Sequence, residues 1–430
     1  MTCSNTSQLQ FNPTVEGQLI LAESNITRPE ISTVITRRRL LAGGALLSLG
    51  LYSHQRGLRY PRLSFEHYER EPIVSTENFQ LHLVDCIATS NGSLRAIAPE
   101  PNIAIRNNST AHSIKLLNIA NNAELSVNTE AENYIEEEIQ GTHRIIHINA
   151  KAPQSINLSW SLPVDDGFEF AVIGDTGGGS ELAWCLKRAR QLGAQFLLHL
   201  GDFNYTDGEY DQAIEKFNTS ELPCYITIGN HDFHDNGLIY DKFLNDLGPM
   251  NHAFELAGTR FINIDTAADF WPAHSGRRGA LFNTLKQRKP FDGDQIIFTH
   301  RPLKDPRPHD DHEIHGIGAI DWLIEQTKEL GISTFLNGHV HHSAELDFRG
   351  LRQITIGEGL GHENLVLQKS VAKIMMAKVE PKKALEHRWV DLNMPWSEHQ
   401  SLTHIKKLKY DRRHQQLEWY KQTLGLDPNV

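Results

Sequence analysis

The rhythm of apolar and polar positions changes once along this chain. Up to about residue 165 the apolar runs are short and alternating. Phe79, Leu81 and Leu83 would face one way, with Gln80 and His82 facing the other; Arg144 to Ile148 alternates less cleanly, and Ile156 to Leu162 follows. A period of two predicts half-buried strands, and Asn91-Gly92 and Asn107-Asn108 supply turns between them. Residues 60–165 are expected to form an all-β sandwich. From Phe168 onward the runs become continuous and apolar: Phe168 to Ile173, Gln195 to Leu200, Cys224 to Ile228, Phe261 to Ile264, Gln295 to Thr299 and Thr334 to Leu336. Helical patterns separate several of them, notably Ser180 to Leu192 and Ile317 to Leu330, with Ser180 expected as an N-cap and Gly193 as a stop. Buried strands alternating with helices predict an α/β core over residues 166–365. Residues 366–430 read as an extension of uncertain type to Pro395, then a helical tail from Ser397 to Leu424.

Five polar segments stand at or near the C-terminal ends of those apolar runs, where α/β cores gather their ligands. They are Gly174-Asp175-Thr176-Gly177, Gly201-Asp202-Phe203-Asn204-Tyr205, Gly229-Asn230-His231-Asp232, Ile297-Phe298-Thr299-His300 and Gly338-His339-Val340-His341. Carboxylate and phenolate oxygens suit hard cations, and imidazole suits borderline divalent ions. The mixed set therefore fits two metal ions, one harder than the other, with a histidine to spare. Two ions roughly 3.5–4 Å apart can clamp a phosphoryl group during displacement. The glycines around Thr176 fit neither dinucleotide-binding nor Walker spacing, which argues against a plain phosphate-binding loop.

This set resembles the calcineurin-like metallophosphoesterase superfamily, and within it the purple acid phosphatase branch. Gly177 stands where the wider superfamily usually has histidine, and Tyr205 follows Asp202 by three residues, as in that branch. The resemblance implies an α/β sandwich of metallophosphoesterase type behind the β-sandwich. It implies one metal on Asp175, Tyr205 and His341, a second on Asn230, His300 and His339, and Asp202 between them. Iron(III) is expected at the tyrosine, with iron(II), zinc or manganese at the other position. His231 would face the scissile phosphate as general acid or hydrogen-bond donor, and His309 would be a second phosphate-facing histidine, in a loop that also holds His312 and His315. The expected reaction is hydrolysis of a small phosphomonoester through a metal-bound hydroxide. Phosphodiesters or nucleotides at the same site, and metal or phosphate binding without turnover, are the alternatives. Asp232 would orient His231 or lie as a surface turn carboxylate. Glu358 and His362 read as structural loop residues. The pocket walls are expected in Thr206 to Glu209, Asn236 to Asp246 and Asp305 to His315.

Composition sharpens this in three ways. A formal charge of −11 over 430 residues argues against nucleic acid as a main partner. Of the four cysteines, Cys3 falls in the leader, and Cys86, Cys185 and Cys224 are too few for a disulfide scaffold, Cys185 and Cys224 reading as small buried apolar residues. Thr36-Arg37-Arg38-Arg39-Leu40-Leu41, running into apolar sequence up to Leu51, makes residues 1–59 a signal segment that resembles the twin-arginine type. Export to the periplasm or outside the cell is expected, with membrane anchoring through the leader left open.

Overall fold

The computed structural model describes residues 73–392 other than 77–78, 108–110, 130–132, 151–153, 165–166, 206–207, 233–240, 268–271, 309, 360–364, 367–368, 371 and 382. The expected signal segment, His362 and the expected helical tail lie outside the described residues.

Ten strands come first: β1 (Ile73–Thr76), β2 (Phe79–Val84), β3 (Cys86–Ala88), β4 (Leu94–Ala96), β5 (Asn102–Asn107), β6 (Ala111–Leu117), β7 (Glu124–Thr129), β8 (Asn133–Gln140), β9 (His143–Ala150) and β10 (Gln154–Ser161). They form two five-stranded sheets, ordered β1-β2-β5-β10-β7 and β3-β4-β6-β9-β8. The alternation explains the layering. Leu81, Leu83, Ile103, Ile105, Ile156, Leu158 and Trp160 are buried from the first sheet, and Ile114, Leu116, Ile146 and Ile148 from the second. The two apolar faces share one core, as in a β-sandwich.

The α/β core follows: β11 (Phe168–Ile173), α1 (Ser180–Gln191), β12 (Leu197–His199), α2 (Glu209–Thr219), β13 (Cys224–Ile226), α3 (Asp241–Asp246), β14 (His252–Leu256), β15 (Thr259–Asn263), α4 (Gly276–Gln287), β16 (Asp294–Thr299), α5 (Ala319–Leu330), β17 (Thr334–Asn337), β18 (Ser343–Phe348), β19 (Leu351–Ile356), a two-residue pair β20 (Leu365–Val366) and β21 (Lys369–Ser370), β22 (Lys373–Val379) and β23 (Glu386–Asp391). One sheet runs β13-β12-β11-β22-β23 and the other β14-β15-β16-β17-β19-β18. Strands β11 to β13 are mutually parallel, as are β15, β16, β17 and β19. Aromatic rings fasten one sheet to the other: Phe170 stacks on Phe196 at 5.1 Å and meets Phe261 edge-on at 5.3 Å. Within each sheet the parallel strands end side by side, which places the polar segments at one rim.

Several details depart from the sequence pattern. Ser180 is the first helical residue rather than the cap; Gly179 precedes the helix, and Ser180 Oγ donates to Glu181 instead. Gly193 does leave α1 in the left-handed region, at φ 88°. The stretch after Gly361 supplies β22, which lies antiparallel on β11 with Phe168 opposite Val379. The three described cysteines, Cys86, Cys185 and Cys224, are free and buried.

The sandwich is joined to the core by buried polar bonds at an edge strand. Asn118 Oδ1 accepts from Cys224 N (2.7 Å), while Asn118 Nδ2 donates to Cys224 O (3.0 Å) and to Ala96 O (2.8 Å). Arg95, 1% exposed, adds a bond from Nη2 to Cys224 O (3.0 Å). One amide side chain thus stands in for a neighbouring strand along β13, covering an edge that would otherwise be open. Asn118→Ala leaves buried backbone groups without these partners and is expected to lower stability by about 2–4 kcal/mol. Chemical denaturation checks this, and an unchanged midpoint would remove the clamp from the account.

Candidate metal centre

Strand-end loops hold the polar segments in tight backbone geometry. Asp175, Asp202 and His339 have φ of 59°, 59° and 68°, a region costly for residues with a Cβ. The glycines beside them permit close approach. A Cβ on Gly229 would stand 2.2 Å from the Asp202 amide nitrogen, and one on Gly338 would stand 2.6 Å from Asp175 Oδ2. The loop after β11 and the loop after β17, from different sheets, are joined where His339 N donates to Asp175 Oδ2 (2.9 Å).

The side chains meet in two groups. In the first, Tyr205 Oη lies 3.4 Å from Asp175 Oδ1, 3.3 Å from Asp202 Oδ2 and 3.3 Å from His341 Nε2. His341 Nε2 is 3.6 Å from Asp175 Oδ1. In the second, His300 Nε2 lies 2.9 Å from Asn230 Oδ1, 3.1 Å from His339 Nδ1 and 3.4 Å from Asp202 Oδ1. Asp202 gives one carboxylate oxygen to each group. Donors roughly 2.1 Å from a shared ion lie roughly 3.0–3.4 Å apart, so both sets have the spacing of ligand shells. The donor atoms of Asp202, His300 and His339 all fall within 4.8 Å of one another.

Charge and proton placement agree with a cation there. His300 Nδ1 faces the carbonyl of Leu200 at 2.7 Å, which assigns a proton to Nδ1. Nε2 faces Asn230 Oδ1 and Asp202 Oδ1, so a proton on Nε2 would bridge to them and a bound cation would take that proton's place. Asp175 and His300 are fully buried, and Asp202 is 2% exposed. Burial raises the Asp175 carboxyl above its ordinary value, and the Asp202 charge adds to this against the pull of His341 and His300. Burial would raise Asp202 too, but His300 holds it well below the carboxylate range. Burial works against a charged His300, yet Asp202 brings it up to about 9. Burial, His300 and Arg301 keep His339 far below the ordinary imidazole value. Buried carboxylates of this kind are paired or hold metals, and these residues fit a metal pair.

Around the two sets, His231 donates its backbone N–H to Asp202 Oδ1 (2.9 Å), and its ring lies 4.6 Å from that of Tyr205. His309 lies outside the described residues, as do 206–207 and 236–240 of the expected pocket walls. In the same loop as His309, His312 has its ring 5.7 Å from that of His339. Asp232 neither orients the His231 ring through any described bond nor lies on the surface. It is 7% exposed, and its carboxylate accepts from the amides of Gly229 (2.6 Å), Phe203 (2.9 Å) and Asp202 (3.1 Å). Glu358 is buried and accepts from Ser343 Oγ (2.6 Å).

Three neighbours were not singled out from sequence. Glu209 Oε2 accepts from Tyr205 N at 2.7 Å and steadies that loop. His199 sits beneath the centre between Thr176 Oγ1 (2.9 Å) and Gly201 N (3.2 Å), and burial lowers it to about 3, so it is neutral. Arg301 Nη1 stands 2.8 Å from His339 Nε2. The only sequence signal for Arg301 was a cation directly after a strand-end histidine.

Residues 168–343 match the family model of calcineurin-like phosphoesterases. No curated protein matches the chain. Similar solved structures include purple acid phosphatase PPD1 from yellow lupin seeds, at 10% identity over 70% of this chain and 71% of that one, with a TM-score of 0.41. A dimetal phosphatase from Danio rerio is 13% identical over 53% of this chain and 100% of its own, with a TM-score of 0.36. GAP50, the anchor in the inner membrane complex of Plasmodium, is 14% identical over 56% of this chain and 95% of its own, with a TM-score of 0.39. Over residues 168–343 the chain is thus similar to the calcineurin-like phosphoesterases.

Proposed function

We propose that the chain hydrolyses phosphomonoesters at a dimetal centre of purple acid phosphatase type. The observation that carries this reading is the division of the Asp202 carboxylate, with Oδ2 toward Tyr205 and Oδ1 toward His300. Asp175, Tyr205 and His341 would hold one ion, Asn230, His300 and His339 the other, and Asp202 both. Two bound cations would neutralise phosphoryl charge and lower the pKa of water into a useful range. The chain's own contribution is placement. Asp202 fixes the spacing, and its bond from His231 N keeps that imidazole at the edge of the centre. A protonated His231 would donate to the departing oxygen, the role of a general acid. Tyr205 supports iron(III), because a phenol that ordinarily titrates near pH ~10 becomes a ligand only beside a strongly polarising cation. The arginines of the leader support export, so an active enzyme outside the cytoplasm is part of the same reading. No helix among the described residues is long and apolar enough to cross a membrane.

His231→Ala is expected to reduce turnover of 4-nitrophenyl phosphate by about 10²–10⁴ with both metals retained, whereas Asp202→Ala and His341→Ala lose metal. Elemental analysis beside steady-state kinetics reads both; metal loss in His231→Ala would make it a ligand, and full metal content in Asp202→Ala would dismantle the centre as drawn. The purified protein is expected to be pink to violet. A colourless, fully active zinc or manganese enzyme would remove iron while leaving hydrolysis in place. Replacing Arg37 and Arg38 by lysine is expected to hold the protein in the cytoplasm on cell fractionation, and unaffected export would reject the twin-arginine assignment.

A further inference from the structure

His199 is the last residue of β12, and its buried ring is met edge-on by Phe203 at 6.0 Å and by Phe217 of α2 at 5.3 Å. Its backbone is fixed on both flanks: it pairs with Ile173 of β11, and its carbonyl accepts from Thr227 N (2.9 Å). The ring then reaches both loops that carry the buried carboxylates. Nδ1 lies 3.2 Å from the amide of Gly201, which precedes Asp202, and Nε2 lies 2.9 Å from Oγ1 of Thr176, which follows Asp175. A backbone N–H only donates, so Nδ1 accepts and the one ring proton sits on Nε2. Burial favours that neutral form. Nε2–H therefore donates to Thr176 Oγ1, and that hydroxyl donates onward to Gly177 O at 2.7 Å. Two backbone bonds close the frame: Asp175 N donates to Gly201 O (2.9 Å), and Gly177 N donates to Asp202 O (3.1 Å). Asp175 and Asp202 both stand on left-handed backbone, at φ 59°, a conformation that residues with a Cβ keep only under constraint. One imidazole thus grips the neighbour of each.

We propose that His199 is a positioning residue for the metal centre, its Nε2–H tautomer setting the distance between Asp175 and Asp202. The role rests on the dimetal reading above. Of the two sets, the one with Tyr205 takes both carboxylates, whereas the one with Asn230 shares only Asp202. The amide of Asp202 also stays tied to Asp232 on the loop after β13 (3.1 Å), which preserves the second set. Loss of the His199 frame therefore acts on the first set more than on the second. The packing with Phe203 and Phe217 needs only a ring, while the two loops need its nitrogens.

The test uses the full chain loaded with zinc and challenged by a graded series of chelator, for the wild type, His199→Phe, Thr176→Val and the double variant. His199→Phe is expected to weaken the hold on one ion about 10- to 100-fold, the usual cost of removing an outer partner of a metal ligand, and to keep the other ion as in the wild type. Loss of tyrosinate absorption assigns the released ion to the Tyr205 set. Thr176→Val breaks the same chain of bonds, so the double variant is expected to lose no more than His199→Phe alone. Nitrogen NMR of the labelled imidazole is expected to show Nε2 protonated and Nδ1 bare. Zinc held by His199→Phe as tightly as by the wild type overturns the proposal, and so does a proton on Nδ1. Equal loss of both ions also overturns it, because the core rather than the spacing of two carboxylates would then have given way. If His199→Phe does not fold, Thr176→Val decides the question with the aromatic packing intact. A wild-type chain that takes up no pair of ions defeats the dimetal reading itself, and the role of His199 falls with it.

Discussion

The carboxylate of Asp232 takes backbone hydrogen bonds from Gly229, Asp202 and Phe203, drawing the loops after β12 and β13 onto one buried point. The arrangement is costly in isolation. Burial raises this carboxyl well above its usual value, and the nearby Asp202 raises it further. The amides stabilise the charged form and convert a liability into a fixed distance between Asp202 and Asn230. A second carboxylate works across the sheets, where Asp175 Oδ2 accepts from His339 N. With one clamp inside a sheet and one between sheets, the donor atoms have little freedom to drift. Loops alone would not hold them to a few tenths of an ångström, the tolerance that a ligand shell demands.

Those clamps need rigid strands behind them. Phe170, Phe196, Phe254 and Phe261 fill the space between the two sheets, with Phe254 and Phe261 stacked at 5.0 Å. Close packing of this kind is stiff and transmits displacement rather than absorbing it. The sandwich adds a further constraint at β13 through Asn118 and Arg95. Since β13 leads into Asn230 and His231, a domain without evident chemistry of its own still helps to set the position of both.

Much of this was legible in the sequence because parallel strands write their function at their ends. Short apolar runs that end in a small or polar residue followed by Asp, Asn or His are a local signal: Gly-Asp after β11 and β12, Gly-Asn after β13, Thr-His at the end of β16 and Gly-His after β17. The strands that were missed carry none. Ile374, Met375, Met376 and Ala377 of β22 are all fully buried, so the run has no alternation to mark it as a strand or helix. Its place beside β11 is a long-range pairing that local pattern does not encode. β18 runs half-exposed at a sheet edge, where polar residues are tolerated. Asp232 shows the same limit in a side chain. Its neighbours in sequence suggested a partner in His231, whereas its actual partners include amides some thirty positions away. Spacing predicted which atoms would gather, but not which residues would hold the loops together.

Net charge and local charge point in opposite directions here. A chain of −11 would repel a phosphate dianion if its whole charge acted at the site. At physiological ionic strength, exposed charges beyond about 8 Å are largely screened, whereas buried ones are screened much less. What an approaching anion meets is then set by the few groups at the rim. Asp175 and Asp202 are buried and face the proposed cations, while Lys304 and Arg307 are matched by acids within their own loop. The global charge bears on solubility rather than on the field at the centre.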